Sequence, residues 1–347
     1  MPQGPGSSEV EEIKKKVNAS HPPQDLAERI LTRAGRLDQS TAYSDSEQFI
    51  EYVDWITSLP WEKKTQDILD LAHAKKTLDS QHYGLQEIKD RVLEYIAVMK
   101  LQREQIKIEQ EMRSPILCFV GLVGTGKTTI AVAIAKALGR KFIRIPFGGL
   151  GDSGMLRGVA RFHPGGEPGS IMKALRRAQV KNPLILLDEV DRVSENVRAS
   201  VMGVLVELLD PEQNHAYADA YIDYPFDLSD VLFIATANNT GNIATAVLDR
   251  LEVIQMPSYS DEEKTAIGRD FVFPRTLRES GIDPSKVEIS ATVWPMIVRP
   301  LGYDAGMRTL ERTIQGIVRK VARMIAEGKA ATFKLDETNI KGYLPTW

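Results

Sequence analysis

The run Gly121-Leu122-Val123-Gly124-Thr125-Gly126-Lys127-Thr128-Thr129 constrains this chain more than any other feature. It fits the phosphate-binding template G-x-x-x-x-G-K-[ST]. Before it, Ile116-Leu117-Cys118-Phe119-Val120 reads as a fully buried strand; after it, Ile130 to Leu138 reads as a helix ended by Gly139. In this strand–loop–helix order, backbone N–H groups freed by the glycines converge on phosphate oxygens at a helix N-terminus. Lys127 is then expected to reach the β- and γ-phosphates, and the Thr128 hydroxyl to ligand Mg²⁺. The bland alternative is a Gly-rich strand-to-helix turn followed by a chance Lys-Thr. The context favours a bound nucleoside triphosphate, ATP, with Mg²⁺.

The rest of the composition narrows the class without naming a substrate. A length of 347 residues suits two or three domains. Hydrophobic residues at 43% and charged residues at 26% are ordinary for a globular protein. The net charge of −3 gives no sign of a protein built mainly around polyanions, although local basic patches stay open. One cysteine, Cys118, allows no disulfide framework or cysteine zinc site within the chain, which suits a reducing compartment. The five histidines show no metal-ligand spacing, and no apolar run is long enough to suggest a membrane span. Residues 1–8 are rich in Gly, Pro and Ser and read as a flexible tail or an expression scar.

From residue 9 to 80 the pattern is helical. Leu26, Ile30, Ala34 and Leu37 recur at helical spacing, as do Phe49, Val53 and Ile56, with Ser46 starting and Pro60 stopping the latter segment. These pieces suggest a small bundle for packing or oligomer contact. Leu69 to Leu78 predicts a short helix, Tyr83-Gly84 a break, and Gln86 to Gln110 a long helix. Residues 81–257 then alternate strand and helix signals. Apolar β-type runs occur at Ile116–Val120, Phe142–Ile145, Leu184–Leu187, Val231–Ala237 and Val253–Met256, with helical stretches at Ser170–Gln179 and Asn196–Leu209. Near-continuous apolar strands alternating with helices argue for a parallel α/β sheet covered on both faces. Residues 258–347 return to helices, with Leu310, Ile314, Ile317, Val321 and Ile325 along one face of Ala305–Glu327. No internal repeat is present.

The second strong signal is Leu184-Ile185-Leu186-Leu187-Asp188-Glu189. Two carboxylates emerge at the C-terminal end of a buried strand, where open α/β sheets bind ligands. Asp188 is expected to hold Mg²⁺ through water, and Glu189 to orient or deprotonate an attacking water. The acidic loop that follows, with Asp191 and Glu195, offers a plainer explanation for the same residues. At the end of Val231–Ala237, Asn238 can bind the nucleophilic water or γ-phosphate, or serve as a turn residue before Asn239-Thr240-Gly241. Arg250 can complete a neighbouring subunit's site or pair with Asp249 or Glu252. Arg308, after Gly302-Tyr303-Asp304-Ala305-Gly306, can touch phosphate or pair with Glu311.

Taken together these residues resemble the ATPase region of the Lon protease family, within the AAA+ ATPases, over nearly the whole chain. The resemblance is also carried by His82-Tyr83-Gly84-Leu85, Leu209-Asp210-Pro211-Glu212-Gln213-Asn214, Tyr224-Pro225-Phe226-Asp227-Leu228-Ser229 and Leu248-Asp249-Arg250-Leu251-Glu252-Val253-Ile254. It implies an AAA+ P-loop NTPase with a parallel sheet flanked by helices, preceded by the helical segment and followed by a small α-helical lid. By resemblance Asn238 is similar to the sensor-1 residue, Arg250 to the trans-acting arginine finger and Arg308 to the sensor-2 arginine. Tyr83 resembles part of the adenine pocket. The family commonly has two prolines where Leu122-Val123 stand, a change that leaves a backbone-donating loop intact.

A pore loop with an aromatic–hydrophobic pair, often containing tyrosine, is usual after Arg157-Gly158 in this family. Here Arg161-Phe162-His163-Pro164-Gly165-Gly166 stands there, with Phe162 offering an aromatic surface and His163 at the tyrosine position. The resemblance implies a ring, expected hexameric, that acts on unfolded or damaged proteins in the cytoplasm, or in the mitochondrial matrix of a eukaryote. No membrane partner is expected. The family's Ser-Lys peptidase dyad lies in a following domain, and this chain stops at Trp347, so peptide cleavage is not expected of the chain by itself. Two rivals stand beside the unfoldase reading: a nucleotide-dependent assembly module acting on nucleic acid, and an ATPase whose nucleotide only stabilises an oligomer.

Overall fold

The computed structural model describes residues 5–37, 43–105, 116–299 and 306–345. At its centre five parallel strands, β1 (Ile116–Val120), β2 (Phe142–Pro146), β3 (Leu184–Asp188), β4 (Leu232–Ala237) and β5 (Leu251–Gln255), lie in the order β2-β3-β4-β1-β5. Side chains alternate between the two faces with the period of two that a pleated strand imposes. Cys118 and Val120, Ile185 and Leu187, and Phe233 and Ala235 enter one apolar cluster. Leu117 and Phe119, Leu184 and Leu186, and Leu232 and Ile234 enter the other. Both faces are covered, which is why the strands read as unbroken apolar runs. The bounds of β2, β3 and β4 each shift by one residue from those expected, and β5 shifts most: it runs Leu251–Gln255 rather than Val253–Met256, because as an edge strand it buries Ile254 alone.

The helical segment that precedes the sheet divides between its two faces. The helices α1 (Pro5–Ser20), α2 (Gln24–Leu37) and α3 (Tyr43–Ser58) place Ile13, Val17, Leu26, Ile30, Val53 and Ile56 in the first apolar cluster. Each fully buried Leu or Ile contributes roughly 1.5–3 kcal/mol, and these helices share one continuous apolar cluster with that face of the sheet. The Tyr52 hydroxyl donates to the Ile222 carbonyl at 3.2 Å, and Tyr224 donates to Asp25 Oδ1 at 2.7 Å across the same junction. On the opposite face, α4 (Leu71–Gln81), α5 (Gln86–Gln105) and α6 (Lys127–Leu138) build the second cluster. Asp70 caps α4 by accepting from the His73 N–H at 2.7 Å, so this helix starts two residues later than its apolar pattern suggested.

Helix α1 starts at Pro5, inside the segment read as a tail. Residues 1–4, the predicted continuation of α5 beyond residue 105, the 302–305 stretch and Trp347 lie outside the described residues. The C-terminal region opens with Ser260 as the cap of helix Asp261–Ile267, its hydroxyl and backbone exchanging bonds with Glu263. Trp294, Leu310, Ile314, Ile317 and Val321 form its core, so the predicted apolar face of helix Arg308–Ala326 is the one that packs. A parallel pair, Val287–Ile289 with Phe333–Leu335, was not expected in this region. Its strands are three residues long, too short to register as a periodic pattern.

Candidate functional site

The loop between β1 and α6 takes its shape from its glycines and its own side chains. Gly124 and Gly126 have φ of +85° and +94°, in the region that disfavours other residues. Gly126 is the N-cap of α6, so the helix begins at Lys127 with its first N–H groups toward the loop. The Thr125 hydroxyl donates to the Leu122 carbonyl at 2.9 Å and is buried, a brace for the loop. Lys127 Nζ donates to the carbonyls of Gly121 at 2.6 Å and Leu122 at 3.0 Å, and to Asn238 Oδ1 at 3.2 Å. Burial pushes the Lys127 ammonium below its ordinary pKa, while Glu189 and Asp188 nearby oppose that shift.

Asp188 ends β3 and is 3% exposed. Its Oδ1 accepts from the Thr236 hydroxyl and lies 3.5 Å from Thr128 Oγ1. Its Oδ2 accepts from Arg144 Nε at 2.6 Å. Glu189 has φ of +58°, and its N–H donates to Thr236 Oγ1 at 2.9 Å. Thr236 on β4 therefore braces both acidic residues. Two hard oxygens, from Thr128 and Asp188, converge as Mg²⁺ requires. Among the described residues no three His, Cys, Asp or Glu side chains cluster as a metal site.

Asn238 follows β4, which pairs with both β1 and β3, so it sits between the phosphate loop and the carboxylates. Its N–H donates to Asp191 Oδ1 at 3.1 Å. The turn role falls to its neighbour: Asn239 Oδ1 accepts from the Gly241 N–H at 3.1 Å. Arg250 pairs with neither Asp249 nor Glu252. Its guanidinium holds Asp210 Oδ2 at 2.9 Å and the Ala246 carbonyl at 2.7 Å, away from this chain's own cavity. That guanidinium is the leading reason the Asp210 carboxyl lies below its ordinary range.

Lys127, Thr128, Asp188 and Glu189 line one side of a cavity of about 380 Å³, with Arg308 opposite. Glu311, the partner considered for Arg308, is instead held by Arg275 at 3.1 Å. Val123, Gly124, Gly126 and Thr129 also line it, whereas Gly121, Leu122 and Thr125 shape the loop without reaching the cavity. Tyr83 borders the far end, edge-on to Phe271 with ring centroids 6.4 Å apart. The C-terminal region closes the cavity directly. The Met307 N–H donates to the Gly124 carbonyl at 3.0 Å, and the Tyr259 hydroxyl to the Thr125 carbonyl at 3.3 Å.

Three lining residues, Arg144, Tyr259 and Phe271, carried no local signal, and His82 was marked only as part of the His82-Tyr83-Gly84-Leu85 resemblance. His82 is buried with its Nε2 unpartnered, and burial lowers its pKa. Phe162 and His163 lie elsewhere, on a turn in which the His163 N–H donates to the Ala160 carbonyl at 2.9 Å. Phe162 is 72% exposed. Arg161 anchors the turn, its guanidinium 4.1 Å from the Tyr52 ring centroid and 5.3 Å from that of Phe162.

A phosphate loop, an acidic strand end, a polar residue on the intervening strand and a helical lid define an ATPase of the AAA+ class. Residues 117–259 match the ATPase family associated with various cellular activities (AAA), and residues 278–333 match the Lon protease AAA+ ATPase lid domain. The chain is 42% identical to a Lon protease of Lawsonia intracellularis over 339 residues, 97% of this chain and 40% of that protein. It is 41% identical to Lon protease 2 of Thermus thermophilus over 347 residues, 98% of this chain and 43% of that protein. It belongs to the Lon family as its AAA+ ATPase and lid regions, and spans about two-fifths of the length of these relatives.

Proposed function

We propose that the chain hydrolyses ATP and couples the reaction to unfolding and threading protein substrates through a ring of copies of itself. The observation that carries this reading is the convergence of Lys127, Thr128, Asp188 and Glu189 on one cavity closed by the lid. Lys127 and the N-terminus of α6 bind the phosphates, Tyr83 the base end, and Thr128 with Asp188 the metal. Bound Mg²⁺ supplies charge neutralisation on the phosphate oxygens. Glu189 accepts a proton as the water oxygen bonds to the γ-phosphorus. The bond to the β–γ bridging oxygen breaks, leaving ADP and phosphate, with Asn238 positioning the water. Arg308 from the lid meets the phosphates in the same chain, and Arg250 acts on the site of the neighbouring copy. The exposed Phe162, with His163 beside it, supplies the surface that pushes an extended polypeptide.

Glu189→Gln should keep nucleotide binding and lower turnover by roughly 10²–10⁴-fold, the usual contribution of a general base. Undiminished turnover would remove Glu189 from the mechanism. Arg250→Ala mixed with Lys127→Ala should recover hydrolysis only if sites are shared between copies. Stimulation of turnover by an unfolded protein supports the threading role; stimulation by DNA with steep salt dependence would favour the nucleic-acid rival instead.

A further inference from the structure

One cation at the site has no role in that scheme. Arg144 is the third residue of β2, the edge strand beside β3, with Arg144 opposite Leu186 and Pro146 opposite Asp188. Its Nε and Nη2 each lie 2.6 Å from Asp188 Oδ2. The Asp188 side chain is 4% exposed and that of Arg144 51%, so a buried carboxylate is neutralised by a guanidinium that reaches it from the cavity wall. The two carboxylate oxygens are divided. Oδ1 faces Thr236 and Thr128, and Oδ2 lies under the arginine.

Mg²⁺ held through water at Asp188 needs that carboxylate's full charge. A guanidinium on Oδ2 removes much of it, because a second cation meets a group already neutralised. The half-exposed end of Arg144 can leave without burying a charge, whereas Asp188 cannot. We propose that Arg144 is a built-in counter-cation for the metal carboxylate: it holds Asp188 while no metal is present and must be displaced when a divalent metal enters with nucleotide. A purely structural ion pair, tying β2 to β3, would have no such linkage to metal. The inference rests on the nucleotide-site reading above and adds to it a residue that sets the metal requirement.

The linkage is measured on the full chain as the ratio of Kd values for a fluorescent ADP analogue in EDTA and in Mg²⁺. In Arg144→Gln the metal no longer competes, and Asp188 is unpaired when metal is absent, so both changes raise this ratio. A rise of about tenfold is expected, a charge-assisted hydrogen-bonded pair discounted for its exposed partner. Arg144→Lys, which keeps a single-point cation and the strand's packing, should raise it by a smaller factor, roughly two- to fourfold. The Lys variant carries the test if thermal melts show that the Gln variant does not fold. A ratio unchanged or lowered in the folded variants overturns the proposal. Failure of the unsubstituted chain to bind the analogue in either buffer would instead sink the nucleotide-site reading itself.

Discussion

Arg140→Met should be among the most damaging single substitutions outside the cavity. Arg140 immediately follows Gly139, the left-handed C-cap of the phosphate-loop helix α6. Its Nε donates to Asp67 Oδ1 at 2.8 Å, its Nη2 to Asp67 Oδ2 at 2.6 Å and its Nη1 to the Asp230 carbonyl at 2.8 Å. The Arg140 and Asp67 side chains are 3% and 0% exposed. Removing the arginine takes two charged donors from a carboxylate buried away from water, while Asn182 Nδ2 lies 3.4 Å from its Oδ1. Breaking a buried pair from one side costs about 3–5 kcal/mol. Replacing both partners by apolar residues removes both buried charges together and should recover most of that loss. Urea unfolding of Arg140→Met, Asp67→Leu and the double variant, followed by circular dichroism, measures the cycle. A loss below about 1 kcal/mol in Arg140→Met, or a double variant as unstable as the sum of the singles, would refute the reasoning.

Three other outcomes follow from named contacts. A Cβ on Gly306 would stand 2.2 Å from the Val123 carbonyl oxygen, so Gly306→Ala should push the lid off the loop and break the Met307–Gly124 bond. Nucleotide affinity should then fall about tenfold by fluorescence titration, the equivalent of one lost backbone bond with some strain. Burial pushes the Cys118 thiol up to about 12, so alkylation at pH 8 followed by mass spectrometry should be negligible until denaturant is added. For Asp210 the folded carboxyl lies lower than the unfolded one, so its pairing with Arg250 is fully present above the unfolded pKa and is lost as pH falls through the folded value. In Arg250→Ala, an NMR titration should find the Asp210 carboxyl shifted up toward its ordinary range.

The residues legible in the sequence are those whose chemistry is written in a short window. The phosphate loop needs its glycines, Lys127 and Thr128 in one fixed order, and Asp188 and Glu189 end an apolar run that only a doubly covered strand explains. Asn238 was visible at its strand end, and the structure adds that this strand lies between β1 and β3. The same local logic found the apolar face of Arg308–Ala326.

What the tertiary structure decided is pairing across distance. Thr236 braces Asp188 from 48 residues away, Arg144 covers it from 44, and Arg250 chooses Asp210, 40 residues back, over the nearer acids Asp249 and Glu252. Threonine and arginine on a strand carry no local mark of such partners, since both residues are common on strand surfaces for other reasons. The placement of α1 to α3 on the sheet was equally hidden. An amphipathic helix declares which face it buries and not what it buries against. The sequence determined the nucleotide chemistry through local order, while the arginine on each carboxylate, the lid's grip on the loop and the seat of the first helices were set by packing between segments distant in the chain.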